Sequence, residues 1–316
     1  MLKRIADSIV NGNLKRYFLY KSIFYYRFVG ENAKFIMYGK NAILLEGHGD
    51  SLNVGDAINI PIVKYLSGKK VILAKYISKS RTKGLTTYSV IGSVLQWNPP
   101  NTHVWGTGLI SDSDISIPEN NFFYSVRGPN TRELLKKKSI DVPECYGDPG
   151  LIIPLIYYPT VKKSFKVGIL PHYIDKHNEV VKSYKGSLDF KVINIEVGSN
   201  YKKFIRELLS CDIIVTSSLH GIIFANAYDI PVVWVQVSNN ITGGYFKYLD
   251  YFSSVNITCN SPVILEKNKP ISWFFDNAIH EKAQIDYAGI INSCPFIDPK
   301  KKIRLERQAH KLSQSI

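Results

Sequence analysis

Residues 213–235, IIVTSSLHGIIFANAYDIPVVWV, decide the fold. The apolar run Ile213-Ile214-Val215 meets Thr216-Ser217-Ser218. Leu219-His220-Gly221 then opens an amphipathic segment that closes at Asp229, and Pro231 starts a second apolar run. The pattern predicts strand, polar turn, short helix and strand, the repeating unit of a parallel sheet. Its turn sets His220 at the carboxyl end of a strand, where open α/β sheets bind ligands. Hydroxyls, backbone N–H groups and a helix N-terminus together suit an anion.

The same grammar extends upstream. Residues 166–170 read as a strand ending in Pro171-His172-Tyr173, 191–195 as another, and Asn200 as the cap of a helix running through Cys211. Residues 154–163, with two prolines and a basic pair, read as a linker. Before them, 42–45 is a buried strand running into the glycine-rich loop Glu46-Gly47-His48-Gly49-Asp50, and a helix is predicted from Asp56 to about Tyr65. Further strands are predicted near 70–74, 103–105 and 122–126. Pro129 suits the first turn of a helix whose last turn carries Lys136–Lys138. The expectation is α/β: two Rossmann-like domains, residues 1–157 and 158–316, with a central cleft. From about Pro270 onward the chain reads as more helical and polar.

Three further segments complete an ordered set with Ser218-Leu219-His220-Gly221. They are Asn53-Val54-Gly55-Asp56, Gly106-Thr107-Gly108, and Val126-Arg127-Gly128 leading to Tyr146-Gly147-Asp148-Pro149. Across residues 41–252 the set resembles the polysaccharide pyruvyl transferases. The resemblance implies a GT-B-like architecture and transfer of pyruvate from phosphoenolpyruvate, as donor substrate and with no cofactor, onto sugar hydroxyls of a surface polysaccharide or its lipid-linked precursor. It also implies ligand contacts at His220 and Arg127. The chain departs from the family at Ser218, where many members carry arginine, so a donor-binding cation must come from elsewhere; His172 and Lys247 are the candidates. A sugar-nucleotide-dependent GT-B glycosyltransferase is the alternative reading.

Pyruvyl transfer needs cations and backbone donors for a carboxylate and a phosphate, an acid to protonate C3, and a base for the attacking hydroxyls. His220 is the leading catalytic residue; its ordinary pKa lets it donate a proton or hold an anion, though a helix-capping or interface histidine would look the same. His172, ending a strand that faces the cleft, is a second acid candidate. Asp56 is either a base or the cap of its helix. Arg127, beyond a strand's carboxyl end, suits bidentate recognition of an anion, or pairing with Glu133 or another acid. Ser217, Ser218, Leu219, Gly221, Asn53, Gly55, Gly106, Gly108 and Lys247 fill the substrate-binding set. Asp148 reads as a turn residue or an inter-domain acceptor, and His48 and His103 as core or surface residues. Residues 243–251, GGYFKYLDY, combine a glycine hinge, aromatics and a cation, and read as a ligand-proximal loop.

Composition bounds the rest. With 316 residues there is room for two domains. Cys145, Cys211, Cys259 and Cys294 are dispersed without CxxC spacing, which fits reduced thiols and no metal site. No apolar run approaches a membrane span, and Lys15, Arg16 and Lys21 interrupt any secretory leader, so a cytoplasmic protein is expected. Of the net charge of +14, most lies at the ends. Residues 1–29 hold six cations against Asp7, and 300–316 hold six against Glu306. Interleaved with Tyr17, Phe18, Tyr20, Phe24, Tyr25, Tyr26 and Phe28, the first set suits peripheral attachment to an anionic membrane face. The near-neutral body argues against a nucleic-acid partner.

Overall fold

The computed structural model describes residues 14–113, 116–118 and 120–314. The leader cations Lys3 and Arg4 lie outside the described residues. Ala42–Leu45 (β1), Lys70–Leu73 (β2), Thr87–Ser89 (β3), Thr102–Trp105 (β4) and Phe122–Ser125 (β5) form one sheet in the order β2-β1-β3-β4-β5, with every neighbouring pair parallel. Phe165–Leu170 (β6), Phe190–Val192 (β7), Cys211–Thr216 (β8), Val232–Gln236 (β9) and Val263–Ile264 (β10) form a second, in the order β10-β9-β8-β6-β7, again all parallel. The two orders are the same: each opening strand lies between its immediate successor and the strand after that. The chain therefore reverses direction of growth beside β1 and beside β6, and ligands bind at such switch points, off the carboxyl ends. The alternation read from the sequence gives two parallel-sheet α/β bodies.

In the first half the helices are Leu14–Tyr38 (α1), Val54–Ala57 (α2), Asn59–Ser67 (α3) and Pro129–Lys136 (α4). Ile43, Leu45, Val71 and Leu73 face one core with Ile62 and Leu66 of α3. Leu44 and Ile72 face the other side, with Phe35 of α1. Burial on both faces is why these strands read as unbroken apolar runs.

In the second half Tyr201–Leu209 is α5, Leu219–Ala227 is α6 and Phe246–Ser254 is α7. Ile222, Ile223 and Phe224 of α6 are fully buried. A helix apolar all round belongs inside a protein, and α6 lies against the first-half turn Pro149–Ile152. Tyr287–Asn292 (α8) and Pro299–Gln314 (α9) return to the first sheet. Trp105 Nε1 donates to Ile290 O (3.0 Å), and Asp298 N donates to Leu66 O (2.9 Å).

Local expectations shift where tertiary contacts intervene. The helix predicted from Asp56 to Tyr65 is two helices. Asn59 opens the second with its carboxamide bonded to Ile91 N and O on the loop after β3, and Gly68 closes it in the left-handed region. The helix predicted to run through Cys211 ends at Leu209, because Cys211 pairs with Phe165 as the first residue of β8; Asn200 makes no side-chain cap. Pro154 and Leu155, read as linker, are buried in a short helix, Ile153–Ile156, and the irregular crossing runs over 157–164.

Candidate active site at the seam between the two sheets

The two switch points meet. Asn53, on the loop after β1, bridges Glu196 beyond β7, and Val54 N donates to Ile195 O (2.8 Å). Asn53 Oδ1 accepts from Gly55 N (2.9 Å) and caps α2. The cap is therefore Asn53, one turn before Asp56, whose carboxylate is left for other work.

His220 is the second residue of α6 and faces Gly55 across the seam. A Cβ on Gly55 would lie 2.1 Å from His220 Nδ1, so only glycine fits against the ring. The imidazole stacks on Phe224 (6.1 Å), and its Nε2 is buried without a protein partner. Burial, and then the positive charges of Arg127, Lys247 and His172, together drive the His220 pKa down to about 3. The ring is neutral at pH 7, against the expectation of a histidine poised near its ordinary value. An orphaned buried nitrogen of this kind awaits a donor or acceptor from a ligand.

Thr216 Oγ1 donates to Leu170 O (2.7 Å) and accepts from Ser218 N (3.0 Å), locking the ends of β6 and β8 together. Ser217 Oγ accepts from His172 N (2.9 Å), and Ser217 O accepts from the Tyr248 hydroxyl (2.8 Å). Ser217 thus positions His172 rather than standing free. His172 is partly buried, and its pKa falls to about 4 through burial and then the charge of Lys247. Leu219 is core, and Gly221 lies where a Cβ would meet Thr216 Oγ1 at 2.3 Å.

Asp56, in α2, is partly exposed, and desolvation raises its pKa to about 6 against the lowering effects of Ser51, Lys75 and Lys247. Lys247, in the first turn of α7, is buried. Its Nζ donates to Thr242 O (3.1 Å) and lies 5.4 Å from the Tyr248 ring centroid. Burial first, and then the charge of Arg127, lowers its pKa to about 8 against the opposing pull of Asp56. It is still mainly an ammonium at pH 7, and no salt bridge to it appears among the described residues. A buried cation held by one carbonyl is suited to an anion.

Arg127 is fully buried and committed within the protein. Nε donates to Asp250 Oδ2 (2.9 Å), Nη1 to Ser93 Oγ (2.5 Å) and Nη2 to Leu109 O (2.6 Å). The partner is Asp250 of α7, not Glu133. Asp250 also accepts from Thr131 N and Oγ1 (both 2.7 Å), tying α7 to the start of α4. Gly108 and Gly128 make room for this latch: a Cβ on Gly108 would lie 2.6 Å from the Arg127 guanidinium, and one on Gly128 1.9 Å from Asp250 O. Gly106, at φ +83°, is pressed against Pro149. These glycines shape the walls of the seam.

The structure gathers His220, Gly55, Asp56, His172, Lys247 and the charge of Arg127 at one place. Leu219, Gly221, Gly106 and Gly108 serve as packing around it. His103 is tied to the Tyr124 hydroxyl (2.9 Å) on the outer strands, and His48 is exposed on the loop after β1. Sequence reasoning missed Asp250, whose only signal is its place in the 243–251 strip, and undervalued Asp148. The latter caps the Pro149–Ile152 turn through Oδ1 (2.7 Å from Gly150 N) while Oδ2 is buried without a partner, and desolvation lifts its pKa to about 7. Among the described residues no group of three or more His, Cys, Asp and Glu gathers that could hold a metal ion.

The arrangement is chemically suited to acid–base work beside an anion: a neutral imidazole with a free nitrogen, a carboxyl titrating near 6, and a buried ammonium. Known proteins resemble this chain. It is 31% identical over 213 residues to Uncharacterized protein L143 of Acanthamoeba polyphaga mimivirus, covering 65% of this chain and 72% of that one. It is 27% identical over 157 residues to Succinoglycan biosynthesis protein ExoV of Rhizobium meliloti (strain 1021), covering 48% of this chain and 46%, about half, of ExoV. The family model for polysaccharide pyruvyl transferase matches residues 104–239. That stretch holds Arg127 and Asp148 of the first half and His172, Ser217 and His220 of the second. Over residues 104–239 the chain carries the sequence pattern of the polysaccharide pyruvyl transferase family.

Proposed function

We propose that the protein transfers pyruvate from phosphoenolpyruvate to two hydroxyls of one sugar residue, in a surface polysaccharide or its lipid-linked precursor on the cytoplasmic side. The observation that carries this is the pairing of a buried, carboxylate-free Lys247 ammonium with the unpartnered Nε2 of His220. In the reaction C3 of the enol gains a proton, two C–O bonds form at C2, and the bond from C2 to the phosphate oxygen breaks. The two hydroxyl protons end on C3 and on the departing phosphate. Oxidation states balance without a redox cofactor.

In this reading Lys247 takes the place of the arginine absent at Ser218 and holds the donor's carboxylate or phosphate. Arg127, latched to Asp250, contributes its field rather than a contact. A multiply charged anion entering beside His220 raises that imidazole's pKa, so the donor itself charges the acid that protonates C3. Asp56 then takes a proton from an attacking hydroxyl. The two switch points facing each other fit a GT-B-like division, donor on the second half and acceptor on the first.

The test is acceptor-dependent release of inorganic phosphate from phosphoenolpyruvate, with the glycan gaining one pyruvate ketal by mass. His220→Ala should lose turnover and keep its melting temperature. Nucleotide release from a sugar nucleotide, with phosphoenolpyruvate inert, would sink the proposal.

A further inference from the structure

The helix α1 is apolar on both sides. Its inner side packs on the first sheet. Phe24 packs at a tilt against Tyr76 (5.3 Å between ring centroids), Glu31 Oε2 accepts from Leu73 N (3.0 Å), Asn32 Nδ2 donates to Tyr76 O (2.8 Å), and Phe35 joins Leu44 and Ile72. On the opposite side, at helical spacing, stand Tyr25, Tyr26, Val29, Ala33, Ile36 and Met37, all exposed. Tyr26 is 81% exposed, Ile36 73% and Met37 70%. A soluble surface helix turns its polar residues outward, and this one does the reverse. Contiguous apolar exposure of this kind marks an interaction surface.

The charge around the stripe selects the partner. Within residues 14–38 the sequence has Lys15, Arg16, Lys21, Arg27 and Lys34 against Glu31 alone. Glu31 is buried and already spent on Leu73 N and Lys34. Tyrosines flanked by cations suit the boundary between headgroups and acyl chains of an anionic bilayer, where apolar burial and electrostatic attraction act together. A second copy of the chain would bring like charge against like. Among the described residues no helix is long and apolar enough to cross a membrane, so the element lies on the surface.

Position ties the stripe to the site. Lys70, the first residue of β2, lies over the Tyr38 ring (5.6 Å), whereas Leu73 and Tyr76 at its carboxyl end meet Glu31 and Phe24. The helix thus runs antiparallel to β2, and its start lies toward the carboxyl edge, where the seam opens. Arg27 pairs with Asp50 (3.5 Å) on the loop leading to Gly55 and Asp56. The basic C-terminal helix α9 begins at the other edge, beside Leu66, and does not share this surface at its start.

We infer that α1 docks flat on an anionic lipid surface through Tyr25, Tyr26, Val29, Ile36 and Met37, presenting the seam to lipid-borne substrate. The docking stands on exposure and charge alone, whereas the lipid-borne substrate rests on the proposed reaction. The test is sedimentation of the full chain with vesicles of phosphatidylcholine alone or with phosphatidylglycerol, alongside the variant Tyr25→Ser/Tyr26→Ser/Ile36→Ser. These side chains are exposed, so an unchanged melting temperature verifies the variant's fold. Binding to phosphatidylglycerol vesicles that weakens with salt, and about tenfold or more in the variant, is the expected result. Absence of binding, binding indifferent to the variant, or a dimer that the variant splits would each overturn it.

Discussion

Gly55 of the first half and His220 of the second touch so closely that a methyl group cannot fit between them: a Cβ at Gly55 would stand 2.1 Å from Nδ1 and 2.6 Å from Cβ of the histidine. The loop after β1 therefore fixes where the imidazole on α6 lies, and Asp56 follows one residue later on the same short helix.

Gly55→Ala should push the ring aside. Overpacking costs about 1–3 kcal/mol of stability, while a displacement near 1 Å at a reacting group costs about a hundredfold in rate. The expected pattern is a large fall in kcat at a melting temperature only moderately lowered. Equal activity in the two proteins would mean that His220 can move freely without consequence.

Lys247→Met should raise the KM for phosphoenolpyruvate about ten- to a hundredfold, the worth of one charge-assisted hydrogen bond. The fold should tolerate the change, because a buried ammonium with a single carbonyl partner gives way to a buried thioether. Because the lysine titrates near 8, the wild-type KM should also climb as pH passes that value, and the variant's should not. Steady-state kinetics from about pH 6.5 to about 9, on either side of that pKa, reads both.

Asp148 carries a folded pKa raised to about 7 by burial. Its native state holds a proton that the unfolded chain has lost, so the group favours folding at low pH and costs stability as pH rises from its unfolded value through 7. Asp148→Asn should therefore be more stable than the parent at pH 8, by roughly 2–4 kcal/mol, and gain little at pH 4. His220 and His172 act in the opposite sense. Their folded pKa values of about 3 and 4 make stability rise with pH between those values and their unfolded value near 6.5. Asp56, raised to about 6, acts in the same sense as Asp148, so two carboxyls oppose two histidines and wild-type stability should be nearly flat between about pH 4 and 6, with a slope emerging in the Asp148 variant. Denaturant melts at several pH values would expose it.

Asp250→Ala leaves Arg127 charged, buried and without its carboxylate, and strips Thr131 of two bonds. Losing one partner of a buried ion pair costs about 3–5 kcal/mol. The double variant Arg127→Met/Asp250→Leu should recover part of that loss, since no unpaired charge remains. If the two single effects simply add, the latch between α7 and α4 is not coupled as the geometry requires.

The strand–turn–helix–strand unit at 213–235, the parallel α/β class and the placement of His220 at a strand's carboxyl end were all legible in the sequence. They follow from contacts within a few residues: apolar runs, a polar turn, a helix start. What the tertiary structure alone decided were the partners and charge states. Asn53 rather than Asp56 caps its helix, Arg127 is held by an aspartate far downstream, and the chain after Ile285 folds back on the first sheet. His220 is neutral because distant segments bury it beside Arg127 and Lys247. Local pattern sets secondary structure through neighbours along the chain. A buried group's protonation depends on desolvation and on charges that only folding brings near.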